Sequence, residues 1–169
     1  AYLINLGVMP FIDDEGIRGL VAIEMIYSND FITPTISGEF YFKKPPLYNW
    51  IIAGFFQMSG NYNEFWLRLP AVISLLFFTL TIYFTVRKEV GEKIAVITAL
   101  MFLTSGRIII YESLHGLIDI CYSWVIYSMF IIIYKLYHRN QLFWLFILVY
   151  ILAAISYLMK GLPTLLFVG

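Results

Sequence analysis

Acidic side chains that directly follow an apolar stretch are the first residues in this sequence whose types and spacing could do chemistry. Asp13, Asp14 and Glu15 come after the apolar segment 1–12. At an apolar–aqueous boundary a carboxylate can act as a general base, so Asp14 and Glu15 are candidate catalytic residues. The structural alternative is that Asp13 or Asp14 caps the next helix, with Glu15 in its first turn, where the helix dipole favours an acid. Both can hold at once.

Basic side chains that could bind a phosphate occur at three places. Lys43 and Lys44 precede Pro45-Pro46, and a proline pair is a stiff, extended support. Lysine is a compact cation that suits phosphate, so Lys44 is a candidate ligand, with Arg68 and Lys160 as possible partners. The alternatives are contact of the lysines with anionic lipid headgroups, an interfacial arginine at 68 and a loop anchor at 160.

A third candidate group is Glu112, His115 and Asp119, whose spacing would place them on one helical face. Such a face could bind a divalent cation. One histidine with two acids is a weak metal pattern, however, so a hydrogen-bonded polar cluster is the favoured interpretation and the metal stays open.

The composition predicts which kind of protein must position these side chains. Of 169 residues, 61% are hydrophobic and only 13% are charged, with a net charge of zero. This excludes a disordered chain and argues against a nucleic-acid partner, because no basic excess exists to neutralise phosphates. A single cysteine excludes an internal disulfide framework. The sequence therefore predicts an integral membrane protein with lipid contacts.

The apolar runs predict an all-α, polytopic transmembrane helix bundle. Long uncharged stretches predict four spans at about 69–86, 94–111, 117–135 and 141–159, with partial spans at 1–12 and 162–169. Because both ends stop inside apolar runs, we expect the chain to be the N-terminal part of a larger multi-pass protein. The loops 87–93 and 135–141 carry a net charge of +3, which predicts that they are cytoplasmic and that 13–68 lies outside.

The outer segment 13–68 is predicted to contain two amphipathic juxtamembrane helices. The first covers 15–28, with a stripe that includes Ile17, Leu20, Val21 and Met25. The second follows Pro45-Pro46, and its apolar stripe contains Leu47, Trp50, Ile51, Gly54, Phe55 and Met58. Both helices could lie flat on the membrane surface.

An ordered set of motifs in this sequence resembles bacterial membrane glycosyltransferases with the GT-C fold. The resemblance is to lipid A aminoarabinose transferases and to protein O-mannosyltransferase-like enzymes, which use dolichyl-phosphate-mannose type donors. The matching pieces are the acids 14–15, the stretch 24–30, the segment 38–47 that ends in KPPL, RLP at 68–70, Asp119 and KG at 160–161.

This resemblance implies transfer of a sugar from a polyprenyl-phosphate donor to a lipid, glycan or protein acceptor on the outer face of a bacterial inner membrane. It implies that Asp14 is the catalytic carboxylate and that Lys44, supported by Arg68 or Lys160, neutralises the leaving phosphate. In the aminoarabinose branch the residue before the KPP lysine is often acidic. Here it is Lys43, which weakens the case for lipid A phosphate as the acceptor.

Two other classes remain as alternatives, a multi-pass transporter and a non-enzymatic membrane assembly protein. Transporters commonly bind substrate near the bilayer midplane and in repeated halves. In this sequence the polar candidates cluster towards one face, and we find no internal repeat.

Overall fold

The computed structural model describes residues 3, 6–8, 10–11, 14–112 and 115–168, and most of these are helical. In chain order the elements are α1 (Glu15–Ser28), β1 (Thr35–Ile36), β2 (Glu39–Phe40), α2 (Leu47–Ser59), α3 (Glu64–Val90), α4 (Glu92–Leu103), a π-helical turn (Ile108–Glu112), α5 (Asp119–His138), α6 (Leu142–Lys160), a 3-10 turn (Leu162–Thr164) and α7 (Leu165–Val168). Asp13 and part of the predicted partial span 1–12 lie outside the described residues.

Three of the described helices are long and apolar enough to cross a membrane. They are α3 with 27 residues, α5 with 20 and α6 with 19. At about 1.5 Å per residue, even the shortest of them approaches the 30 Å thickness of the hydrocarbon core. The prediction of an all-α, polytopic transmembrane bundle is confirmed, and these helices contain the predicted span 69–86 and most of 117–135 and 141–159.

The prediction of one continuous span over 94–111 was wrong. Helix α4 has 12 residues and ends at Leu103, and a separate π-helical turn follows. Thr104 closes the last turn of α4, since its Oγ1 donates a 2.7 Å hydrogen bond to the Leu100 carbonyl oxygen. The same type of bond occurs inside the continuous helix α3, at Ser74, Thr79 and Thr81, so this bond does not by itself account for the end of α4.

Helix α3 begins five residues earlier than its predicted span. Asn63 caps it, because Asn63 Oδ1 accepts a 3.3 Å hydrogen bond from the backbone N–H of Trp66. Arg68 and Pro70 therefore lie inside the helix rather than at its entrance.

The two predicted juxtamembrane helices are present as α1 and α2. In α1, Val21 and Met25 of the predicted stripe are buried while Leu20 is 52% exposed, and α2 buries a different face from the one expected. In α2 the buried residues are Tyr48, Asn49, Ile52, Ala53 and Phe56. Of the predicted stripe, Met58 is 86% exposed. Tyr48 and Asn49 can face inward because both have polar partners inside the molecule.

A small antiparallel hairpin connects α1 to α2. Strands β1 and β2 pair with Thr35 opposite Phe40 and Ile36 opposite Glu39. Glu24 of α1 accepts a 2.6 Å hydrogen bond from Thr35 Oγ1 and another from the backbone N–H of Ser37. These bonds, with that from Thr35 first, lower the pKa of Glu24. The hairpin is thus attached to α1, and the chain continues from it into the lysine–proline segment 43–46.

The core lies where α1, α2, α3, α5 and α6 meet. Tyr48, Ile52 and Phe56 of α2 pack against Met129 of α5 and Met159 of α6, and all are at most 1% exposed. The loop before α5 also approaches α3 closely, because a Cβ on Gly116 would lie 2.5 Å from Leu67 Cδ2 and 3.2 Å from the Leu67 carbonyl oxygen.

This close approach gives a stability prediction. We expect Gly116→Ala to lower the free energy of unfolding by about 1–3 kcal/mol, because the added methyl group overpacks a contact with backbone. Thermal unfolding of the full-length protein in detergent, followed by tryptophan fluorescence, measures the change.

Gly54→Ala in α2 is the matched control, since a Cβ there has no neighbour within 4 Å. We expect it to leave stability unchanged or to raise it by up to about 1 kcal/mol, through helix propensity. Equal stability of the two variants would contradict the packing argument.

Candidate active site

Two carboxylate–lysine ion pairs form the centre of the candidate site. Asp14 pairs with Lys44 across 30 positions of sequence, and Asp119 pairs with Lys160 across 41. Each of the four side chains is about one-third exposed, at 33–39%. Because these four side chains are partly exposed, a substrate can contact them.

The acids of both pairs lie at the start of helices. Asp119 is the first residue of α5. Asp14 lies at the N-cap position of α1, yet its side chain makes no cap hydrogen bond and instead contacts Lys44. The capping alternative for Asp14 is therefore not observed, and Asp13 is outside the described residues.

The lysines approach from two other segments. Lys160 is the last residue of α6, and Lys44 stands directly before Pro45-Pro46. Gly161 ends α6 with φ of +74°, and a Cβ there would lie 3.5 Å from Pro45 Cγ. A residue with φ > 0 and little space beside it favours glycine, which lets the end of α6 lie against the lysine–proline segment.

Two cavities meet at these lysines. The first, which we call the acidic cavity, has a volume of about 280 Å³ and is lined by both ion pairs and by Arg18. The second, which we call the lysine cavity, has a volume of about 510 Å³ and lies between segment 32–46 and the end of α6. Lys44 and Lys160 line both cavities.

Arg18 is a site residue that the sequence analysis missed. It is 2% exposed, its Nη1 donates a 3.3 Å hydrogen bond to Asn49 Oδ1, and its guanidinium lies 5.4 Å from the centre of the Tyr48 ring. Burial lowers the pKa of Arg18, although an arginine keeps its charge after such a shift. The available signal was its position four residues after Asp14, which puts both on one helical face.

Glu15 and Arg68, for which catalytic and phosphate-binding roles are predicted, form a pair that differs from the two carboxylate–lysine pairs in its burial. Both side chains are fully buried. Arg68 Nε lies 2.6 Å from Glu15 Oε1, and Arg68 Nη2 lies 3.1 Å from Glu15 Oε2. In this arrangement neither Glu15 nor Arg68 has surface to offer a substrate, because each satisfies the other in a bidentate pair.

The same ion pair reaches the loop that precedes α5. Glu15 Oε1 accepts a 2.8 Å hydrogen bond from the backbone N–H of Gly116, and Arg68 Nη1 donates one of 2.7 Å to the Leu6 carbonyl oxygen. Tyr48 contacts this loop too, since its hydroxyl donates to the Gly116 carbonyl oxygen at 3.2 Å. Burial raises the pKa of Tyr48, so the hydroxyl keeps its proton.

The predicted shared face of Glu112, His115 and Asp119 does not form. Glu112 ends the π-helical turn, His115 follows in a bend, and Asp119 starts α5, so no single helix contains them. Glu112 pairs at 2.9 Å with Arg107, and this contact raises the pKa of Arg107. Within the described ranges, no three His, Cys, Asp or Glu side chains form a group that could bind a metal ion.

The sequence of this chain is similar to those of several known proteins. A family model described as dolichyl-phosphate-mannose-protein mannosyltransferase matches residues 43–169. An undecaprenyl phosphate-alpha-4-amino-4-deoxy-L-arabinose arabinosyl transferase of Pseudomonas savastanoi pv. phaseolicola is 32% identical over 63% of the chain and 20% of that protein. An uncharacterised protein of Aquifex aeolicus is 26% identical over 95% of the chain and 32% of its own length.

Two solved structures have the same fold. They are crystal structures of ArnT from Cupriavidus metallidurans, one in the apo state and one bound to undecaprenyl phosphate. Their TM-scores are 0.83 and 0.84 at 20% identity, and they cover 96% and 98% of this chain but 31% of ArnT. The chain thus spans about a third or less of the length of the proteins it matches.

The helix bundle, with paired acids and lysines at the ends of its helices, has the fold of the GT-C type membrane glycosyltransferases. The family match covers most of the chain, and the chain belongs to the dolichyl-phosphate-mannose-protein mannosyltransferase family.

The buried pair gives a second stability prediction. We expect Arg68→Leu to destabilise the protein by about 3–5 kcal/mol, because Glu15 would remain as a buried, uncompensated charge. Thermal unfolding of Arg68→Leu and of the parent full-length protein in detergent measures this difference.

Arg87→Leu is the matched control, because Arg87 pairs with Glu92 at 3.4 Å with both side chains about half exposed. An exposed pair contributes under about 1 kcal/mol, so this variant should melt close to the parent protein. Similar losses of stability in Arg68→Leu and Arg87→Leu would contradict the argument that burial makes the Glu15–Arg68 pair more important than the exposed pair.

Proposed function

We propose that this chain forms the donor-phosphate part of a glycosyltransferase that moves a sugar from a polyprenyl-phosphate carrier to a lipid, glycan or protein acceptor. The observation that carries the proposal is the pair of carboxylate–lysine contacts around one cavity, each about one-third exposed, near the starts of α1 and α5 and the end of α6. A sugar carrier with a long apolar tail presents its phosphate at such a boundary. Membership of the mannosyltransferase family supports the same class of reaction.

In the proposed reaction an acceptor hydroxyl attacks the anomeric carbon of the sugar. The bond from that carbon to the phosphate oxygen breaks, and the electron pair stays on the phosphate. Asp14 accepts the hydroxyl proton as general base, and Lys44 and Lys160 stabilise the charge that develops on the leaving phosphate. Asp119 keeps Lys160 directed into the acidic cavity before substrate arrives.

For Glu15 and Arg68 we propose positioning roles in place of the catalytic and phosphate-binding roles expected from sequence. Both are buried against each other, and Glu15 is the chain neighbour of Asp14. Their bidentate pair supports the geometry of Asp14 without touching substrate. Arg18, which lines the acidic cavity, is proposed as a further cation near the phosphate.

We propose that the site faces the outside of a bacterial inner membrane. Helix α5 begins at the site with Asp119 and ends at His138, so the two ends lie on opposite sides of a bilayer. Lys88, Lys135 and Arg139 line a cavity of about 420 Å³ at the end remote from the site. Short basic connections favour the cytoplasm, which leaves the site on the other side.

No specific observation favours a transporter. Transporter sites commonly lie near the bilayer midplane between broken helices. Here Asp14, Asp119 and Lys160 lie at the ends of α1, α5 and α6.

The test of this function is Asp14→Asn in the full-length protein. We expect sugar transfer from a polyprenyl-phosphate donor to fall by about 10²–10⁴-fold, because the amide cannot accept the proton. The rate is measured with a radiolabelled donor in membranes that contain equal amounts of protein.

Glu39→Gln is the matched control, since Glu39 is an exposed acid in the same outer segment and belongs to neither cavity. It should transfer sugar at the parent rate. Full activity of Asp14→Asn would refute the role of Asp14.

A further inference from the structure

We propose that Lys43 stabilises the second negative charge that the carrier phosphate acquires when the sugar leaves, and this rests on the proposed function. Lys43 would then be a catalytic residue in addition to Lys44 and Lys160. The inference concerns the lysine cavity, which lies beside the acidic cavity and shares two lysines with it.

The lysine cavity has an unusual balance of charge. Lys43, Lys44 and Lys160 all line it, and no acidic residue of the described chain does. The rest of its lining is largely apolar, with Phe42 and Tyr157 among the side chains. A cavity of about 510 Å³ with three cations and apolar walls fits an anionic group attached to an apolar chain.

Lys43 differs from the other two lysines in having its charge uncompensated. Lys44 pairs with Asp14 and Lys160 pairs with Asp119. Within the described part of the chain, Lys43 makes no ion pair. When a phosphate arrives, Lys43 can contact it without first leaving a carboxylate.

Arg18 is the other cation near the site without an ion pair, but its position is different. It lines the acidic cavity, is 2% exposed and donates to Asn49. Lys43 is exposed and lines only the lysine cavity. The two cations therefore meet different sides of a phosphate placed between Lys44 and Lys160.

The charge on the phosphate changes during the reaction. The donor is a phosphodiester with one negative charge. When the bond to the anomeric carbon breaks, the phosphate becomes a monoester, whose second pKa is about 6, so it carries close to two charges at neutral pH. A cation that meets charge present only after bond cleavage contributes to catalysis, because its interaction is stronger in the transition state than with the donor.

The experiment compares two probes on the full-length protein in lipid nanodiscs. The first is undecaprenyl phosphate, a monoester, and the second is its methyl diester, which cannot take up a second charge. Dissociation constants are measured at about pH 5 and about pH 8, on either side of the second phosphate pKa. Asp14, Asp119, Tyr111, Tyr157 and the cations Arg18, Lys43, Lys44 and Lys160 surround the two cavities, and titration of any of them would affect both probes.

We expect the parent protein to bind the monoester about three- to fivefold more tightly at the higher pH, as for one half-exposed ion pair, and the diester equally at both. Lys43→Gln should lower this pH ratio for the monoester, with Lys44 and Lys160 retaining part of it, and should weaken binding of the diester less than binding of the monoester at the higher pH. Lys43→Arg should retain the ratio. Lys93→Gln is the matched control, because Lys93 is exposed and lines neither cavity.

Two outcomes would overturn the proposal. One is a pH ratio in Lys43→Gln that equals the ratio of the parent protein. The other is an equal loss of affinity for monoester and diester at both pH values, which would show that Lys43 attracts anions without distinguishing the second charge. The binding ratio does not depend on sugar transfer. A failure of the proposed function, seen as full activity in Asp14→Asn, is therefore detected in a separate assay.

Discussion

The fully buried ion pair between Glu15 and Arg68 is the interaction on which the rest of the described structure depends. It connects the first turn of α1 to the second turn of α3, and Glu15 also binds the loop before α5 through the backbone N–H of Gly116. A buried ion pair adds little net stability compared with an apolar contact, but it tolerates few alternative arrangements of its partners. The pair thereby specifies the positions of two site residues. Asp14 directly precedes Glu15, and Asp119 follows Gly116 by three residues.

The candidate site is assembled from four short segments and not from one element. Each ion pair joins the start of one helix to a lysine that stands next to a proline or a glycine. The stiff residues limit where the lysines can reach, and Tyr48, through its bond to Gly116, connects α2 to the same loop. The charged side chains thus remain about one-third exposed, while the backbone around them is tightly packed.

The sequence predicted the positions of the helices better than it predicted which side chains contact one another. Uncharged runs identified α3, α5 and α6 because a bilayer requires long apolar helices, whereas the run 94–111 is divided after Leu103 into α4 and a separate π-helical turn. Asp14, Lys44, Asp119 and Lys160 were identified as candidates, but their pairing across 30 and 41 positions was not. Burial of Arg18, and of the Glu15–Arg68 pair, depends on packing between α1, α2 and α3 that no local pattern encodes.

The partial exposure of the Asp14–Lys44 and Asp119–Lys160 pairs has a consequence for the order of events at the site. While the cavities are empty, the charge of Lys44 is cancelled by Asp14 and that of Lys160 by Asp119. In the proposed reaction, a phosphate that binds Lys44 would take the place of the Asp14 carboxylate, and the carboxylate would then be free to accept a proton. The proposed base would thus stay paired with its lysine until the carrier binds.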